Sequence, residues 1–299
     1  MSANAANPYA VINYPSPGQI VQRRALRHWG FILGTAVLVI IVGVALLAPY
    51  IVPYDPYSQD LVNRLIPPLW HADGTWLHPL GTDNLGRDYL SRLIYGSRIS
   101  LLIGVSATAI SCLIGTSLGV AAGYFGGKVD MVVSFIITTR LAMPVILVAL
   151  AVVALTGGSL PVVIIVLGLL VWDRFSVVTR STTQQLQSSE YIQAAKSAGC
   201  STWRIVLTEI MPNIMNNLIV VATLEMARAI LLEAALSFLG MGVQPPLPSW
   251  GLMIAEGKEF MLFSPWLITI PGVALLFLVL SINLMGDGIR DITDPEGRS

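Results

Sequence analysis

The stretch EYIQAAKSAGCSTWRIVLTEIMPN, residues 190–213, is a polar island in a very hydrophobic chain. Small and aromatic residues recur in it at i, i+3, i+4 and i+7, which is the spacing of one helix face. These residues are Tyr191, Ala194, Ala195 and Ala198. Gly199 then supplies the permissive backbone that commonly ends a helix. The spacing predicts a short helix over 190–198 that stops at Gly199.

A second face with the same spacing follows the glycine. Its members are Trp203, Val206, Leu207 and Ile210. Pro212 lies near the end of this predicted second helix, although a proline can also occupy the first turn of the next helix. Two short helices joined at a glycine, with apolar segments on both sides, are typical of a surface that docks on a partner.

Composition sets the class of protein. The chain has 299 residues, of which 55% are hydrophobic and 11% charged, with a mean hydropathy of +0.73. Soluble domains carry about 25% charged residues, so the chain is predicted to be an all-α integral membrane protein. The formal net charge of zero gives no footprint for nucleic acid. Cys112 and Cys200 are far apart and predict neither a disulfide nor a metal site.

Six segments are long and apolar enough to cross a bilayer as helices. They are residues 29–49, 99–123, 131–156, 160–180, 214–240 and 265–286. Three arginines at positions 23, 24 and 27 precede the first segment and predict a cytoplasmic N-terminus. Six crossings place the C-terminus and the polar island in the cytoplasm too.

This topology divides the chain into a cytoplasmic tail, a first transmembrane helix, an outer loop, a transmembrane domain and a second cytoplasmic tail. These are residues 1–28, 29–49, 50–97, 98–287 and 288–299, and the polar island with the two residues before it is 188–213. The end of the outer loop, GTDNLGRDYLSRLIYGSRISL at 81–101, is patterned like an interfacial helix that enters the second span.

Charged residues inside apolar segments are rare and are often functional. Glu225 and Arg228 stand at i, i+3 in the fifth segment and are predicted to pair on one face. Glu233 lies close enough in sequence to share Arg228. These three residues form either a polar lining of a pathway or a structural or gating network that joins this chain to a partner subunit, and the second interpretation is preferred. Asp173, Arg174 and Arg140 leave the same two interpretations open.

Three glycines at 115, 119 and 123 form a small-xxx-small stripe in the second segment. Such a stripe lets two helices approach closely. Its partner is predicted to be a helix of the same subunit, and contact with a second subunit is the alternative.

The island resembles the EAA loop of permease subunits of ATP-binding-cassette importers. Gln193-Ala194-Ala195 is followed by Gly199 and Pro212 at the spacing of that loop, with glutamine in place of the leading glutamate. Glu209 stands where the loop has isoleucine. Three further segments are similar to the second, C-type permease of the dipeptide/oligopeptide/nickel family. They are residues 78–101, 234–254 and 283–297.

The resemblance implies a type I importer in the bacterial inner membrane, built from two different permeases, two cytoplasmic ATPases and an outer solute-binding protein. It assigns ATPase coupling to Tyr191, Gln193, Ala194, Ala195, Ala198, Gly199 and Pro212. The chain contains no G-x-x-x-x-G-K-[ST] loop. We therefore expect ATP and magnesium to be bound by the ATPases, and this chain to carry no catalytic residue, cofactor or metal.

Peptides are the predicted cargo, and nickel or another small solute carried by the same machinery is the alternative. Two other classes compete with this interpretation. A secondary transporter would favour inverted repeats and broken helices with midplane carboxylates, and the two halves of the sequence show no convincing repeat. An intramembrane enzyme would need a catalytic motif inside a span, and neither HExxH nor paired carboxylates occur there.

Overall fold

The computed structural model describes residues 17–293, which form helices joined by short turns and one long outer loop. The α-helices are α1 Pro17–Ala25, α2 Trp29–Ile51, α3 Tyr89–Phe125, α4 Gly127–Ala142, α5 Val145–Thr156, α6 Leu160–Leu170, α7 Asp173–Gln187, α8 Glu190–Ser197, α9 Thr202–Arg204, α10 Met211–Phe238, α11 Trp250–Gly257 and α12 Trp266–Thr293. A π-helical turn, Ile205–Ile210, joins α9 to α10. The parts of the predicted tails at 1–16 and 294–299 lie outside the described residues, as does the end of the 283–297 segment.

Within residues 17–293, four helical segments are long and apolar enough to cross a membrane, and a bent pair of helices, α4 and α5, would make a fifth if it is one span. The four are Trp29–Ile51, Tyr89–Phe125, Leu160–Gln187 and Trp266–Thr293. The all-α membrane fold expected from composition is therefore confirmed. Helix α10 occupies the place of the predicted fifth segment, but it carries Glu225, Arg228 and Glu233 within 28 residues. The count of six crossings stays a prediction.

The predicted third span, 131–156, is not one straight helix. It consists of α4 and α5, which are bent by 86° at a short break. Pro144 causes the break, because a residue that precedes proline is pushed out of the helical region. Met143 accordingly has φ −93° and ψ 127°.

The predicted interfacial helix before the second span is not a separate element. It is the first part of α3, which runs without interruption for 37 residues. At 1.5 Å per residue α3 is about 55 Å long, so it is longer than the hydrocarbon core of a bilayer, which is about 30 Å thick. Tyr89 and Arg92 are buried at its outer end instead of lying along a membrane surface.

Helix α3 is the centre of the bundle, and its glycine stripe packs on α7. A Cβ atom at Gly119 would lie 2.5 Å from the carbonyl oxygen of Ser176. A Cβ atom at Gly123 would lie 2.7 Å from the carbonyl oxygen of Arg180. The prediction that the stripe contacts a helix of its own subunit is confirmed, since any larger residue would push α7 away.

Both described chain ends lie at the same end of the bundle. The Nε2 atom of His28, at the start of α2, is 3.1 Å from an Asp291 carboxylate oxygen near the end of α12. Helix α8 contacts the C-terminal end of α3 and the start of α10. We call the end that carries α1 and α8 the inner end, and the opposite end, with the 52–88 loop and α11, the outer end.

The second predicted island helix does not end at Pro212. Helix α9, the π-helical turn and α10 form one continuous helical segment, and Pro212 lies in the first turn of α10. Proline has no N–H to donate and clashes with the carbonyl four residues earlier. The wider π-helical turn lies directly before it, and there the Met211 N–H bonds to the Val206 carbonyl, five residues back.

Candidate functional site

The end of α8 is fixed by a backbone motif at Gly199. The Cys200 N–H donates to the Ala195 carbonyl at 3.1 Å, and the Gly199 N–H donates to the Lys196 carbonyl at 3.0 Å. Together these two bonds form the Schellman motif, in which the residue just after the helix must adopt the left-handed backbone conformation. Gly199 supplies it with φ +77°. The predicted stop of the helix at Gly199 is confirmed.

Ile192 anchors α8 to the bundle. It is fully buried and belongs to an apolar cluster with Tyr124 of α3 and Ile205 of the π-helical turn. The ammonium group of Lys196 lies 5.2 Å from the centre of the Tyr124 ring, within range of a cation–π interaction. The sequence interpretation missed Ile192, although a lone large aliphatic residue in a polar helix was its signal.

The opposite face of α8 is small and open to solvent. Ala194 and Ala198 are exposed, and Tyr191 is half-exposed beside them. Ala195, predicted on the same face, instead packs in part on the Ile192 cluster. Gln193 is exposed, and its side-chain amide donates to the Gln187 carbonyl at 2.8 Å. The exposed part of the predicted docking face is therefore limited to Tyr191, Ala194 and Ala198, while Gln193 closes the turn before the helix.

The segment after Gly199 divides its apolar residues between two sides. Ile205 and Ile210 are buried, whereas Trp203 and Leu207 are largely exposed. The exposed pair lies beside α3 and lines an apolar groove of about 680 Å³. The predicted single face of Trp203, Val206, Leu207 and Ile210 is therefore split by the π-helical turn.

A group of charged residues lies where α4, α6, α7 and α10 meet, and we call it the intramembrane cluster. It consists of Arg140, Asp173, Arg174, Glu225 and Arg228. The Arg228 Nη1 donates to Glu225 Oε2 at 3.3 Å, as the i, i+3 spacing predicted. Arg174 Nε lies 3.2 Å from the other oxygen of the same carboxylate. Glu225 is fully buried. Its two oxygens hold one arginine from its own helix, α10, and one from α7.

Glu233 does not share Arg228, in contrast to the prediction. Its Oε1 accepts hydrogen bonds from the hydroxyls of Ser237, at 2.8 Å, and Ser249, at 2.9 Å. Ser249 is the N-cap of α11. The i, i+5 spacing of Arg228 and Glu233 places their side chains on different faces of α10. Glu233 therefore ties α10 to α11 near the outer end.

A second charged group at the outer end was not predicted, and we call it the outer network. It consists of Asp83, Arg87, Arg92 and Glu256. Arg87 Nε donates to Asp83 at 2.6 Å, and Arg92 Nη1 lies 2.7 Å from Glu256. Arg92 also bonds to Asp83, and Arg87 to Glu256 at 3.2 Å. The network joins the outer loop, α3 and α11, whose residues are far apart in sequence.

Comparison with known proteins gives this architecture a family. Residues 115–298 match the family described as binding-protein-dependent transport system inner membrane component. The chain belongs to this family. Residues 16–68 also match the N-terminal transmembrane domain of oligopeptide transport permease C. As a family member, the chain is an inner-membrane transport component and not an enzyme, and the resemblance seen in its sequence is confirmed.

Two relatives match almost the whole of this chain. The dipeptide transport system permease protein DppC of Haemophilus influenzae is 40% identical over 89% of this chain and 90% of its own length. The di/tripeptide transport system permease protein DppC of Pseudomonas aeruginosa is 40% identical over 99% of this chain and 97% of its own length.

The fold has a solved counterpart as well. A chain in the structure of inward-facing conformations of the MetNI methionine ABC transporter superposes with a TM-score of 0.57 and 18% identity. The match covers 69% of this chain and 98% of that one. The transport component therefore has the fold of an ABC importer permease.

Proposed function

We propose that this chain is one of two permease subunits of an ATP-driven importer of di- and oligopeptides. It would form the translocation pathway with the second permease and receive the cargo from an outer solute-binding protein. Two cytoplasmic ATPases would bind ATP and magnesium and hold α8. Relatives of 40% identity that are named as dipeptide and di/tripeptide permeases support the peptide cargo.

The coupling role rests on one observation: one face of α8 is anchored in the bundle and the other is exposed. Ile192 fixes the helix to the apolar cluster shared by α3 and α10, and the Gly199 motif ends the helix. Ala194 and Ala198 leave its other face flat and accessible. Small residues let a partner backbone approach closely. A force applied to that face would pass through Ile192 into two long helices of the bundle.

The test uses the complete importer reconstituted in vesicles with ATP and the binding protein. Ala194→Asp places a charge at the centre of the docking face, and one disruption at the centre of an interface can remove much of its affinity. We expect peptide uptake and binding of the ATPases to fall at least tenfold, while the permease stays in the membrane. Ala194→Ser is the matched control and should keep near-normal uptake.

Gly199→Pro is a second variant, because proline fixes φ near −65° and Gly199 has φ +77°. It should abolish uptake by displacing the end of α8. Uptake at the normal rate with either Ala194→Asp or Gly199→Pro would refute the coupling role. Ala195→Asp is less informative, since Ala195 packs partly on the core and its loss also disturbs folding.

The same vesicles separate the competing functions. Uptake that needs the ATPases and ATP supports the importer, whereas uptake by this chain alone under a proton gradient would support a secondary transporter. Competition by peptides but not by nickel would support peptide cargo, and the reverse result would support a metal importer.

A further inference from the structure

The intramembrane cluster carries one more positive than negative charge. Three arginines, at 140, 174 and 228, face two carboxylates, Asp173 and Glu225. Glu225 contacts Arg174 at 3.2 Å and Arg228 at 3.3 Å, and Arg140 donates to the Leu170 carbonyl, three residues before Asp173. The surplus charge has no carboxylate of its own within the cluster.

The charged side chains of the intramembrane cluster differ in how exposed they are. Glu225, Asp173 and Arg140 are buried. The side chain of Arg174 is 58% exposed and that of Arg228 is 31% exposed, although both touch the buried Glu225. An arginine that faces lipid tails is costly, so intramembrane arginines turn to water-filled cavities or to protein. The exposed guanidinium groups therefore face either a pathway or another subunit.

Two helix breaks lie beside the cluster and favour a pathway. Arg140 donates to the carbonyl of Met143, at the α4–α5 bend, and to that of Leu170, at the end of α6. The bend itself is exposed from Leu141 to Pro144. Non-helical backbone at membrane depth is tolerated only inside protein or along a water-filled cavity. Arg140 thus ties the exposed bend to the cluster, and a water-filled pathway would satisfy both the open backbone and the arginines.

We propose that Arg174 and Arg228 form an anion subsite in the translocation pathway that receives the C-terminal carboxylate of a peptide in transit. This inference rests on the proposed function. A guanidinium group binds a carboxylate through two parallel hydrogen bonds, and a peptide of any sequence carries that carboxylate. Glu225 already contacts both arginines, so they would bind the carboxylate of a peptide only weakly. A conducting site must bind weakly enough to release its cargo.

The test measures uptake of trialanine and of trialanine amide by the complete importer, with ATP and the same binding protein in every sample. The preference of the binding protein cancels when variants are compared. We expect Arg174→Gln and Arg228→Gln to lower trialanine uptake about tenfold, the loss of one charge-assisted contact. Uptake of the amide should change less than about twofold, because it has no carboxylate to lose. Arg174→Lys should keep most of the trialanine uptake.

A second readout does not need the amide to be transported. Val177 is one turn from Arg174 on α7 and 44% exposed. In a background without Cys112 and Cys200, trialanine should slow thiol labelling of Val177→Cys during turnover. The same protection should be absent when Arg174→Gln is added.

Each outcome decides the proposal. Selective loss of trialanine uptake together with loss of protection supports the anion subsite. Equal loss for both peptides overturns it and indicates an ion pair with the second permease, as does unchanged protection in Arg174→Gln. Unchanged uptake of both peptides also overturns it. If the unmodified importer takes up no trialanine with ATP, the proposed function has failed rather than the subsite alone.

Discussion

The outer network and the intramembrane cluster are both built from arginines and carboxylates, but they serve different purposes. The outer network balances two arginines with two carboxylates, and its Arg87 and Arg92 side chains are 3% and 1% exposed. The intramembrane cluster has an extra arginine and leaves two of its three arginines open. A balanced and shielded group holds elements together, whereas an unbalanced and open group has capacity left for a ligand.

The largest effect is expected from breaking the outer network. Asp83→Ala leaves Arg87 and Arg92 with only Glu256, and removal of one partner from a buried ion pair costs about 3–5 kcal/mol of unfolding free energy. Denaturation of the purified protein in detergent measures this loss. Asp73→Ala is the matched control, because the Asp73 side chain is 83% exposed in the same loop. Equal losses for the two variants would contradict a fastening role.

The corresponding change in the intramembrane cluster should be milder. Glu225→Gln removes the shared carboxylate, but Arg174 and Arg228 keep access to water, so we expect a loss of only about 1 kcal/mol in unfolding free energy. The same denaturation experiment measures it. A loss as large as that of Asp83→Ala would show that these arginines are sealed in the protein, and the contrast between the two groups would disappear.

A charge swap tests the ion pair between Glu225 and Arg228 inside the intramembrane cluster. Glu225→Arg combined with Arg228→Glu should recover at least about 0.5 kcal/mol relative to the sum of the single changes, as contacting residues do in double-mutant cycles. Recovery should be partial, because Arg174 then faces another arginine at position 225. Glu225→Arg combined with Arg204→Glu is the control pair and should be additive. Additivity in both pairs would argue against the local ion pair.

The smallest effect is expected from Glu233→Gln, at the carboxylate that belongs to neither group. Glu233→Gln keeps an oxygen to accept from Ser237 and Ser249, so unfolding free energy should change by less than about 0.5 kcal/mol. Glu233→Ala loses both hydrogen bonds and should cost about 2 kcal/mol. If the amide proved as damaging as alanine, the negative charge of Glu233 would matter after all.

Local sequence signals predicted the parts of this molecule that depend on neighbours in the chain. The stop of α8 at Gly199 follows from one glycine, and the packing of α3 on α7 follows from glycines four residues apart. The ion pair of Glu225 and Arg228 follows from i, i+3 spacing. In each case the residues that decide the structure lie within two helical turns.

The rest depends on contacts between distant segments. Arg87 and Glu256 meet across 169 positions, and Arg174 and Glu225 across 51, and no periodicity links such pairs. The α4–α5 bend was hidden because residues 131–156 are apolar on both sides of Pro144. Hydropathy measures length and composition, so it cannot show that a continuous apolar stretch turns by 86°.

The π-helical turn before α10 stores one extra residue in an otherwise regular helix. Each residue of an α-helix advances the azimuth by about 100°. Deleting a single residue from Ile205–Ile210 would let the segment relax into plain α-helix and leave the azimuth of Trp203 much less changed than the roughly 100° that one deletion causes in a regular helix, because the wide turn already absorbs the extra residue. The wide turn thus lets the chain carry an additional residue before α10 while Ile192 keeps α8 in place on the bundle.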